Sequence, residues 1–442
     1  MRGQGHTLLL AVSLVVSLAA SIQAADLVIS GEVRLRAESQ NNFNDKYYGT
    51  NPTKGVEHDN YLLSRVRIGV DYDFSDEWHG KFSVQDSRAI GWALTDDDWY
   101  NKEYDMIHNP QQDVFELSLT YLQYTPKGSG LGFKVGRQKI AYGDNRVFGL
   151  GEGRNSGKFW DAVKFSYKTG EHWVDFFYGR TMLHDPEVFS FRHRHGYIGA
   201  GLYGHLAYKT FAFEPIVVYK YNNDGNLKYQ KRTTYYYGAR FYDTNVHGFF
   251  YDMTYIKAEG EQTTLEGTKV DVAAYGYHAE AGYHFVALPG KPKVGIGYTY
   301  ATGNDANTSD IERFDGVFGA NGLYGRMELM KWGNLKDQEL YVKIKPMKRV
   351  QCRLGYHRLN ADEASDQWMS YKIPGMRADH YGDEIDLLVT VNVNKSLKVM
   401  TGVSYFIPGD WIAEAATKRS SITDECAFLA FAQVKYLFTS KG

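Results

Sequence analysis

Cysteine, proline and long apolar runs are all scarce in this sequence of 442 residues. The two cysteines, Cys352 and Cys426, fall in different predicted segments, so we predict no disulfide between them. After the apolar run at residues 8–18, no stretch approaches the roughly 20 apolar residues that a membrane-spanning helix needs. The formal net charge is -2 and the basic residues are dispersed, so we predict no nucleic-acid partner.

Aromatic residues and glycine are abundant instead. The chain contains 35 Tyr, 24 Phe, 8 Trp and 45 Gly, against only 10 Pro. Aromatic side chains favour pleated strands, and glycine favours the tight turns between them. The composition therefore indicates an all-β protein.

The N-terminus has the pattern of a secretory signal. Arg2 precedes the apolar run, and a stretch of small residues ends at Ala24 and Ala25. We predict a signal peptide at residues 1–25, cleaved after Ala24 or Ala25, followed by a single domain at residues 26–442.

Alternating apolar and polar residues recur in eighteen segments, each close to the roughly ten residues that a tilted membrane strand requires. The segments are 27–38, 61–74, 77–88, 113–126, 130–141, 159–169, 172–181, 194–209, 211–221, 232–243, 246–257, 270–287, 291–301, 335–346, 347–359, 380–394, 395–406 and 424–438.

Short and long connections alternate between these segments. The turns at residues 75–76, 127–129 and 243–245 are short, whereas the connections at 89–112 and 302–334 are long. Outer-membrane barrels have this asymmetry because one set of connections faces the periplasm and the other faces the outside. We therefore predict a transmembrane antiparallel β-barrel of about 18 strands, with short periplasmic turns and long extracellular loops, embedded in outer-membrane lipid.

The alternation also separates a lipid face from a lumen face. In the second segment, Val66 and Ile68 lie on one face while Arg65 and Arg67 lie on the other. A basic side chain at mid-depth in lipid costs about 2–4 kcal/mol, so the charged faces are predicted to point inward. The side chains assigned to the lumen in this way are Glu32, Arg34, Arg36, Arg65, Arg67, Asp71, Asp73, Lys164, Asp175, Arg240, Asp252, Glu280, Lys343 and Arg353.

Arg137 does not follow this pattern, because it shares its face with Phe133 and Val135. Either a bulge turns it inward or it lies above the hydrocarbon. It adjoins a long glycine-rich connection that also contains Arg146 and Arg154. These two arginines either line a constriction or tie the connection down through Asp144 or Asp161.

The stretch from residue 131 to 167 reads GRQ, then YGDNR, then a glycine-rich run and FWD. This order of motifs resembles the alginate export family of outer-membrane barrels. The paired arginines of RLR and RVR near the N-terminus, and the later loop TGNDANTSDIERFDGVFGANGLYG, are also similar to that family.

The resemblance implies an eighteen-stranded monomeric barrel whose arginine-rich constriction is gated by loops and passes an acidic polysaccharide. The lumen residues expected to contact such a substrate are Arg34, Arg36, Arg65, Arg67, Arg137, Arg146, Arg154, Asp161, Asp175, Arg240, Lys343 and Arg353.

Simpler roles exist for the same residues. Inward arginines opposite acids also form cross-strand ion pairs that stiffen a barrel wall. Aromatic residues are more typical of the interfacial girdle than of a sugar-stacking surface. The acidic loop at residues 95–105 is more typical of a solvated loop than of a calcium site, and we assign no metal or cofactor.

The sequence contains no nucleophile motif and no HExxH metal pair, so we predict a channel and not an enzyme. The first hypothesis is secretion of an anionic, alginate-like polysaccharide through an arginine-lined aqueous lumen, with periplasmic export partners as a further possibility. The alternative is a diffusion porin for small anions or oligosaccharides. A structural or adhesive surface barrel is the third class.

Overall fold

The computed structural model of the protein describes most of the chain beyond residue 26. The described residues are 27–42, 58–101, 106–107, 109–186, 189, 195–222, 231–243, 248–264, 267–369, 372–419 and 422–440. The predicted signal peptide at residues 1–25, and part of both the predicted turn at 243–245 and the acidic loop at 95–105, lie outside them.

Eighteen antiparallel strands form one closed barrel. Each strand pairs with its neighbours along the chain, and β1 (Leu27–Asn41) pairs with both β2 (His58–Asp73) and β20 (Ala427–Thr439), which closes the sheet. The other barrel strands are β3 (Trp78–Ile90), β6 (Asp113–Tyr124), β7 (Leu131–Gln138), β8 (Trp160–Thr169), β9 (His172–Met182), β10 (His195–Ala207), β11 (Phe211–Asn222), β12 (Arg232–Asp243), β13 (Gly248–Thr263), β14 (Lys269–His284), β15 (Lys293–Ala301), β16 (Leu335–Met347), β17 (Val350–Asn360), β18 (His380–Asn392) and β19 (Leu397–Pro408). The predicted fold is confirmed, and each of the eighteen predicted segments overlaps one strand.

The strands form because their side chains alternate between two environments. In β2, Val66 and Ile68 are exposed on the outer surface, whereas Arg65, next to Val66, is fully buried on the inner side. A register shift of one residue would place the arginine in lipid, so the alternation also fixes the strand pairing. No helix in the described part of the chain is long and apolar enough to cross a membrane.

The connections differ in length between the two ends of the barrel. Those at the periplasmic end have two to eight residues, whereas those at the extracellular end reach 33 residues in the connection 302–334. The extracellular connections also contain a short hairpin, β4 (Tyr100–Asn101) and β5 (Met106–Ile107), and a helix, α1 (Asp410–Lys418). The sequence analysis did not predict either element.

Helix α1 forms because three of its side chains lie on one face. Trp411, Ile412 and Ala415 are buried at helical spacing, and Glu414 pairs with Lys418 one turn later at 2.6 Å. The Trp411 ring packs against Tyr381 of β18 at 5.2 Å between centroids. The helix therefore covers the inner wall near the extracellular end of β18.

An apolar core fills part of the barrel interior at the extracellular end. Phe148 and Phe318, from two different connections, contact the inward-facing rings of Phe177 and Trp160 at 5.2 and 4.7 Å. Trp332, from the same connection as Phe318, is 1% exposed. The connections 139–159 and 302–334 therefore fold into the barrel, where an aqueous lumen was predicted.

Candidate functional site: a cavity between two inward-folded connections

The connections 139–159 and 302–334 are hydrogen-bonded to each other. The Gly149 amide donates to the Phe318 carbonyl at 3.0 Å, and the Phe318 amide donates to the Val147 carbonyl at 3.1 Å. Gly319 follows closely, and a Cβ there would lie 2.1 Å from the Arg146 carbonyl oxygen. The two connections thus form one unit whose close backbone approach requires glycine.

Asn155 fastens the connection 139–159 to the wall. Its side chain is fully buried, and its Nδ2 lies 2.9 Å from the Ser64 carbonyl, 3.1 Å from that of Arg88 and 3.0 Å from that of Gln111. Its Oδ1 accepts a hydrogen bond from Arg34 at 2.7 Å. One side chain therefore joins strands β1, β2 and β3 to the connection.

The first predicted wall arginines hold the same connection. Arg34 donates to the carbonyl oxygens of Glu152 and Arg154 at 3.1 and 3.2 Å. Arg65 donates to Glu32 at 2.8 Å through Nε and to Glu152 at 2.9 Å through Nη2. Both arginines are buried, and apart from Nε of Arg34 their donor nitrogens bond to protein groups.

The other cations predicted in the lumen, apart from Arg137 and the connection arginines, are mostly held in similar ways. Arg67 lies 3.9 Å from both Glu32 and Glu152; Arg36 pairs with Glu38; Lys164 pairs with Asp175 at 2.7 Å; Arg240 pairs with Glu214 at 3.1 Å and with Asp252; and Arg353 pairs with Glu339. Lys343 differs, because it is exposed, lies 4.3 Å from the centre of the Tyr341 ring and has no carboxylate at ion-pair distance among the described residues. The positions of all these cations follow the predicted parity, but the charges other than that of Lys343 are largely balanced.

Arg137 lies at the extracellular end of β7 and is held by two carboxylates. Its Nη1 donates to Glu116 at 3.0 Å, and its Nε donates to Asp161 at 2.7 Å. Gly136 beside it has a φ of +119°, and a Cβ there would lie 2.4 Å from the Thr120 carbonyl oxygen. The backbone is therefore irregular at this strand end, and Arg137 is buried.

Asp161 does not face the lumen as expected. Trp160 points inward against Phe318 and Phe165 is exposed on the outer surface, so the strand period places Asp161 on the outer face. There it accepts hydrogen bonds from Arg137 and lies 2.9 Å from Nε2 of His195. Asp161 is the second residue of β8, and the alternation of the strand already applies at this position. The prediction of a lumen position for Asp161 was not based on that alternation.

Arg146 is a buried anchor between the two connections. Its Nε donates to Asp144 at 3.0 Å, and its guanidinium lies 5.4 Å from the Tyr324 ring and 5.7 Å from the Trp332 ring. Of the two roles considered for this arginine, the geometry matches the one in which it ties the connection down.

The connection 302–334 is anchored on the opposite side through Asp315. Lys220 of β11 donates to this carboxylate at 2.9 Å, and the Tyr236 hydroxyl of β12 donates to it at 2.7 Å. Lys220 also donates to the Val317 carbonyl at 2.7 Å. Opposite walls of the barrel thus hold the two connections in place.

A cavity of about 540 Å³ lies between the two connections. The cations that line it are Arg154, Lys158, Arg326 and Lys331, and the carboxylates that line it are Glu152, Asp315 and Glu328. Glu152 and Asp315 are already engaged by wall cations.

The cavity cations differ from the wall arginines in their partners. Arg154 is exposed, and within the described ranges no carboxylate lies at ion-pair distance from its guanidinium. Arg326 likewise has no carboxylate at ion-pair distance among those residues. Lys158 donates to the Phe318 carbonyl at 2.8 Å, and Lys331 donates to the Met369 carbonyl at 3.2 Å.

The surroundings of the two lysines lower the pKa of both. Burial, together with the nearby charges of Arg154 and Lys220, lowers the pKa of Lys158 to about 7. Burial and the charge of Arg313 lower the pKa of Lys331 to about 8, against the opposing effect of Asp315. An anion entering the cavity would stabilise the charged form of both lysines.

The alginate export family model matches residues 26–423 of this chain. The chain belongs to the alginate export family. The search of curated proteins finds no match.

Solved structures of similar fold include proteins of two bacteria. OccAB3 of Acinetobacter baumannii has a TM-score of 0.60 at 10% identity, covering 94% of this chain and 100% of that chain. OccD3 of Pseudomonas aeruginosa has a TM-score of 0.60 at 10% identity, covering 94% and 91%. OccK8 of the same organism has a TM-score of 0.59 at 10% identity, covering 94% and 98%. At these identities the likeness shows the fold alone; with the family, it makes the protein an outer-membrane channel.

Three of the four cavity cations in this alginate export family protein were missed by the sequence analysis. Lys158, Arg326 and Lys331 lie in irregular connections, where no alternation assigns a side chain to a face. A basic residue beside glycine in the longest connections is the one signal that could have identified Lys158 and Arg326.

The acidic loop at residues 95–105 uses its described carboxylates locally. Asp96 accepts hydrogen bonds from Asn109 at 2.8 Å and from Gln112 at 2.9 Å, and Asp98 accepts one from the Thr95 amide at 2.7 Å. Over the residues described, no group of three or more His, Cys, Asp or Glu could hold a metal ion.

Proposed function

We propose that this chain is a transport channel rather than an enzyme, and that it secretes an anionic, alginate-like polysaccharide. The membership of the alginate export family and the barrel fold support transport. The acidic substrate is proposed from the charges inside the barrel.

The observation that carries the proposal is the pair of unpartnered arginines in the cavity. Arg154 and Arg326 both line it, and neither has a carboxylate at ion-pair distance in the described chain. A guanidinium presents its donors in a fork that matches a carboxylate. A uronate unit would therefore supply the partner that the protein itself does not.

Transport requires that each contact be weak enough to release. Arg154 is exposed, so its pairing with a carboxylate is screened by water and salt. Lys158 and Lys331 add charge nearby without fixing a rigid site. A polymer could thus exchange its carboxylates between successive cations as it moves, which is the requirement for conduction.

The cavity size favours a second candidate, a diffusion porin for small anions or oligosaccharides. A volume of about 540 Å³ is in the range of small-ligand sites. The packed contact of Phe148 with Phe318, at 5.8 Å between ring centroids, must separate before a long polymer can pass between the connections. A short acidic sugar needs no such movement.

Single-channel current in planar bilayers tests the acidic substrate. The reconstituted protein would be titrated with a hexamer of mannuronate and, separately, with maltohexaose as a neutral sugar of matched length. We expect block by the uronate at lower concentration, with the difference shrinking as salt is raised from about 0.1 M to 1 M. Equal block by both sugars would contradict the acidic substrate.

Chain length separates the exporter from the porin. For an exporter, long polyuronates should block, and then pass through when a voltage drives them across. If block is confined to short oligomers and long chains have no effect, the porin is the better description.

A further inference from the structure

A row of aromatic side chains lines the inner wall at the periplasmic end of the barrel. Trp173 is the second residue of β9, His205 lies two residues before the end of β10, and Tyr242 lies one residue before the end of β12. All three share the inward parity of buried neighbours such as Phe177 and Tyr203. They therefore lie at the mouth of the barrel, and none of them lines the cavity between the connections.

Four of the rings are close to parallel, whereas the Tyr242 ring is tilted by 39° from that of His205, with centroids 6.4 Å apart. Trp173 and His205 are register partners on adjacent strands, with ring centroids 5.5 Å apart and an interplanar angle of 12°. Tyr203, one inward position deeper, lies 6.0 Å from Trp173 at 15°. Tyr142, from the connection 139–159, lies 4.5 Å from Tyr203 at 15°. The row thus runs from the mouth toward the inward-folded connections.

One buried carboxylate holds Tyr203, His205 and Tyr242 in place. Glu214 is 3% exposed and accepts hydrogen bonds from the Tyr203 hydroxyl at 2.6 Å and from Arg240 at 3.1 Å. Nδ1 of His205 lies 3.0 Å from the same carboxylate, and the Tyr242 hydroxyl lies 3.4 Å from it. Rings fixed in this way lose little conformational entropy when a ligand packs on them.

The three residues at the mouth keep part of their surface accessible, although Tyr142 stacks on Trp173 at 5.8 Å and the Arg240 guanidinium lies 4.0 Å from the centre of the Tyr242 ring. Trp173, His205 and Tyr242 are half-buried, whereas Tyr203 behind them is 2% exposed. When the Nδ1–H group of a neutral His205 donates to Glu214, Nε2 of the same ring is a hydrogen-bond acceptor. This Nε2 has no hydrogen-bond partner among the residues the structure describes.

We propose that Trp173, His205 and Tyr242 form a stacking platform for pyranose rings at the periplasmic mouth. The faces of aromatic rings are negative and attract the weakly positive C–H groups of a sugar face, while a hydroxyl donates to Nε2 of His205. Stacking does not depend on the sugar's charge, so the platform takes acidic and neutral sugars alike. The platform rests on the proposed function in one respect, because an exported polymer would meet the periplasmic end first.

The test is the rate at which sugars added on the periplasmic side block the reconstituted full-length channel. The variant is Trp173→Leu, and the matched control is Trp78→Leu. Trp78 is the first residue of β3, at the same end of the barrel, but it is 37% exposed on the outer face. The probes are the mannuronate hexamer and maltohexaose.

We expect Trp173→Leu to weaken block by both sugars about three- to tenfold, the range of a single aromatic contact. Trp78→Leu should leave both unchanged. Unchanged block in Trp173→Leu, or a loss restricted to the uronate, would overturn the platform. If Trp173→Leu fails to fold, as judged by heat-modifiable gel migration, Tyr242→Leu carries the same expectation.

The two proposals fail independently. If the unmodified channel shows no preference for the uronate but Trp173→Leu weakens both sugars, the platform stands and the acidic substrate falls. If the preference is present and Trp173→Leu changes nothing, the platform alone is wrong.

Discussion

The cations inside this barrel fall into two regions that differ in what surrounds their charge. On the wall, Arg65 is fully buried and bonded to Glu32 and Glu152. In the cavity, Arg154 is exposed and Arg326 is half-buried, and neither has a carboxylate partner in the described chain. An inward position therefore does not make a cation available to a substrate.

The difference has an energetic meaning. Removing one member of a buried ion pair leaves an uncompensated charge and costs about 3–5 kcal/mol, whereas an exposed cation contributes about 0–1 kcal/mol. Arg34 and Arg65 are thus structural, because they fix the connection 139–159 to the strands. The cavity cations can be changed without unfolding the barrel, which makes the two roles separable by experiment.

The largest effect is expected at Arg65. Replacing Arg65 with Ala leaves Glu32 buried without its main partner and should lower the free energy of unfolding by about 3–5 kcal/mol. Urea titration of the protein in lipid vesicles measures this change. The control is Arg88→Ala, which removes an exposed pair with Asp86 and should cost about 0–1 kcal/mol. A loss below about 1 kcal/mol in Arg65→Ala would show that the wall cations are not structural.

The next effect concerns Asn155. Its replacement by Ala removes a partner from the Ser64 carbonyl and one of the three partners of the Arg34 guanidinium, at about 1–3 kcal/mol for each group left unpaired. We expect the connection 139–159 to become sensitive to protease and the channel conductance to rise. Asn321→Ala, in the other connection, is the control, because the Asn321 side chain makes no hydrogen bond within the described ranges. A connection that stays protected in Asn155→Ala would rule out this anchor.

The smallest effect is the pH dependence of uronate block. With its pKa lowered to about 7, Lys158 is mostly neutral at pH 9 and mostly charged at pH 6, while the sugar carboxylates stay ionised throughout. Block should therefore strengthen about three- to tenfold as the pH falls from 9 to 6. The Lys158→Met variant should lose most of this pH dependence. The part that it retains is due to Lys331, whose pKa is about 8. Stronger block at pH 9 than at pH 6 would contradict this prediction.

The fold was predictable because the strand signal is local. Alternation within each segment assigned Arg65 to the inside and Ile68 to the outside from neighbouring residues alone, and both positions are confirmed. The connection lengths, also local, supplied the orientation of the barrel. Helix α1 was missed because its apolar face of Trp411, Ile412 and Ala415 extends over only nine residues.

The site was less predictable because its parts are brought together by tertiary contacts. Asn155 bonds to backbone carbonyls of two strands, β2 and β3, and of Gln111 in another connection, and no sequence pattern predicts such partners. Parity located the wall arginines, but it could not show that acids or carbonyls would occupy their donors. Arg137 was left ambiguous for a related reason, since the backbone irregularity at Gly136 is a property of strand pairing.

The central claim is that the cavity cations recognise the substrate while the wall cations hold the structure, and the double variant Arg154→Ala/Arg326→Ala tests it most directly. Its block by the mannuronate hexamer and by maltohexaose would be compared with that of the unmodified channel. We predict about tenfold weaker block by the uronate, unchanged block by the neutral sugar, and a free energy of unfolding within about 1 kcal/mol of the original. Unchanged uronate block, or an equal loss for both sugars, would contradict the account.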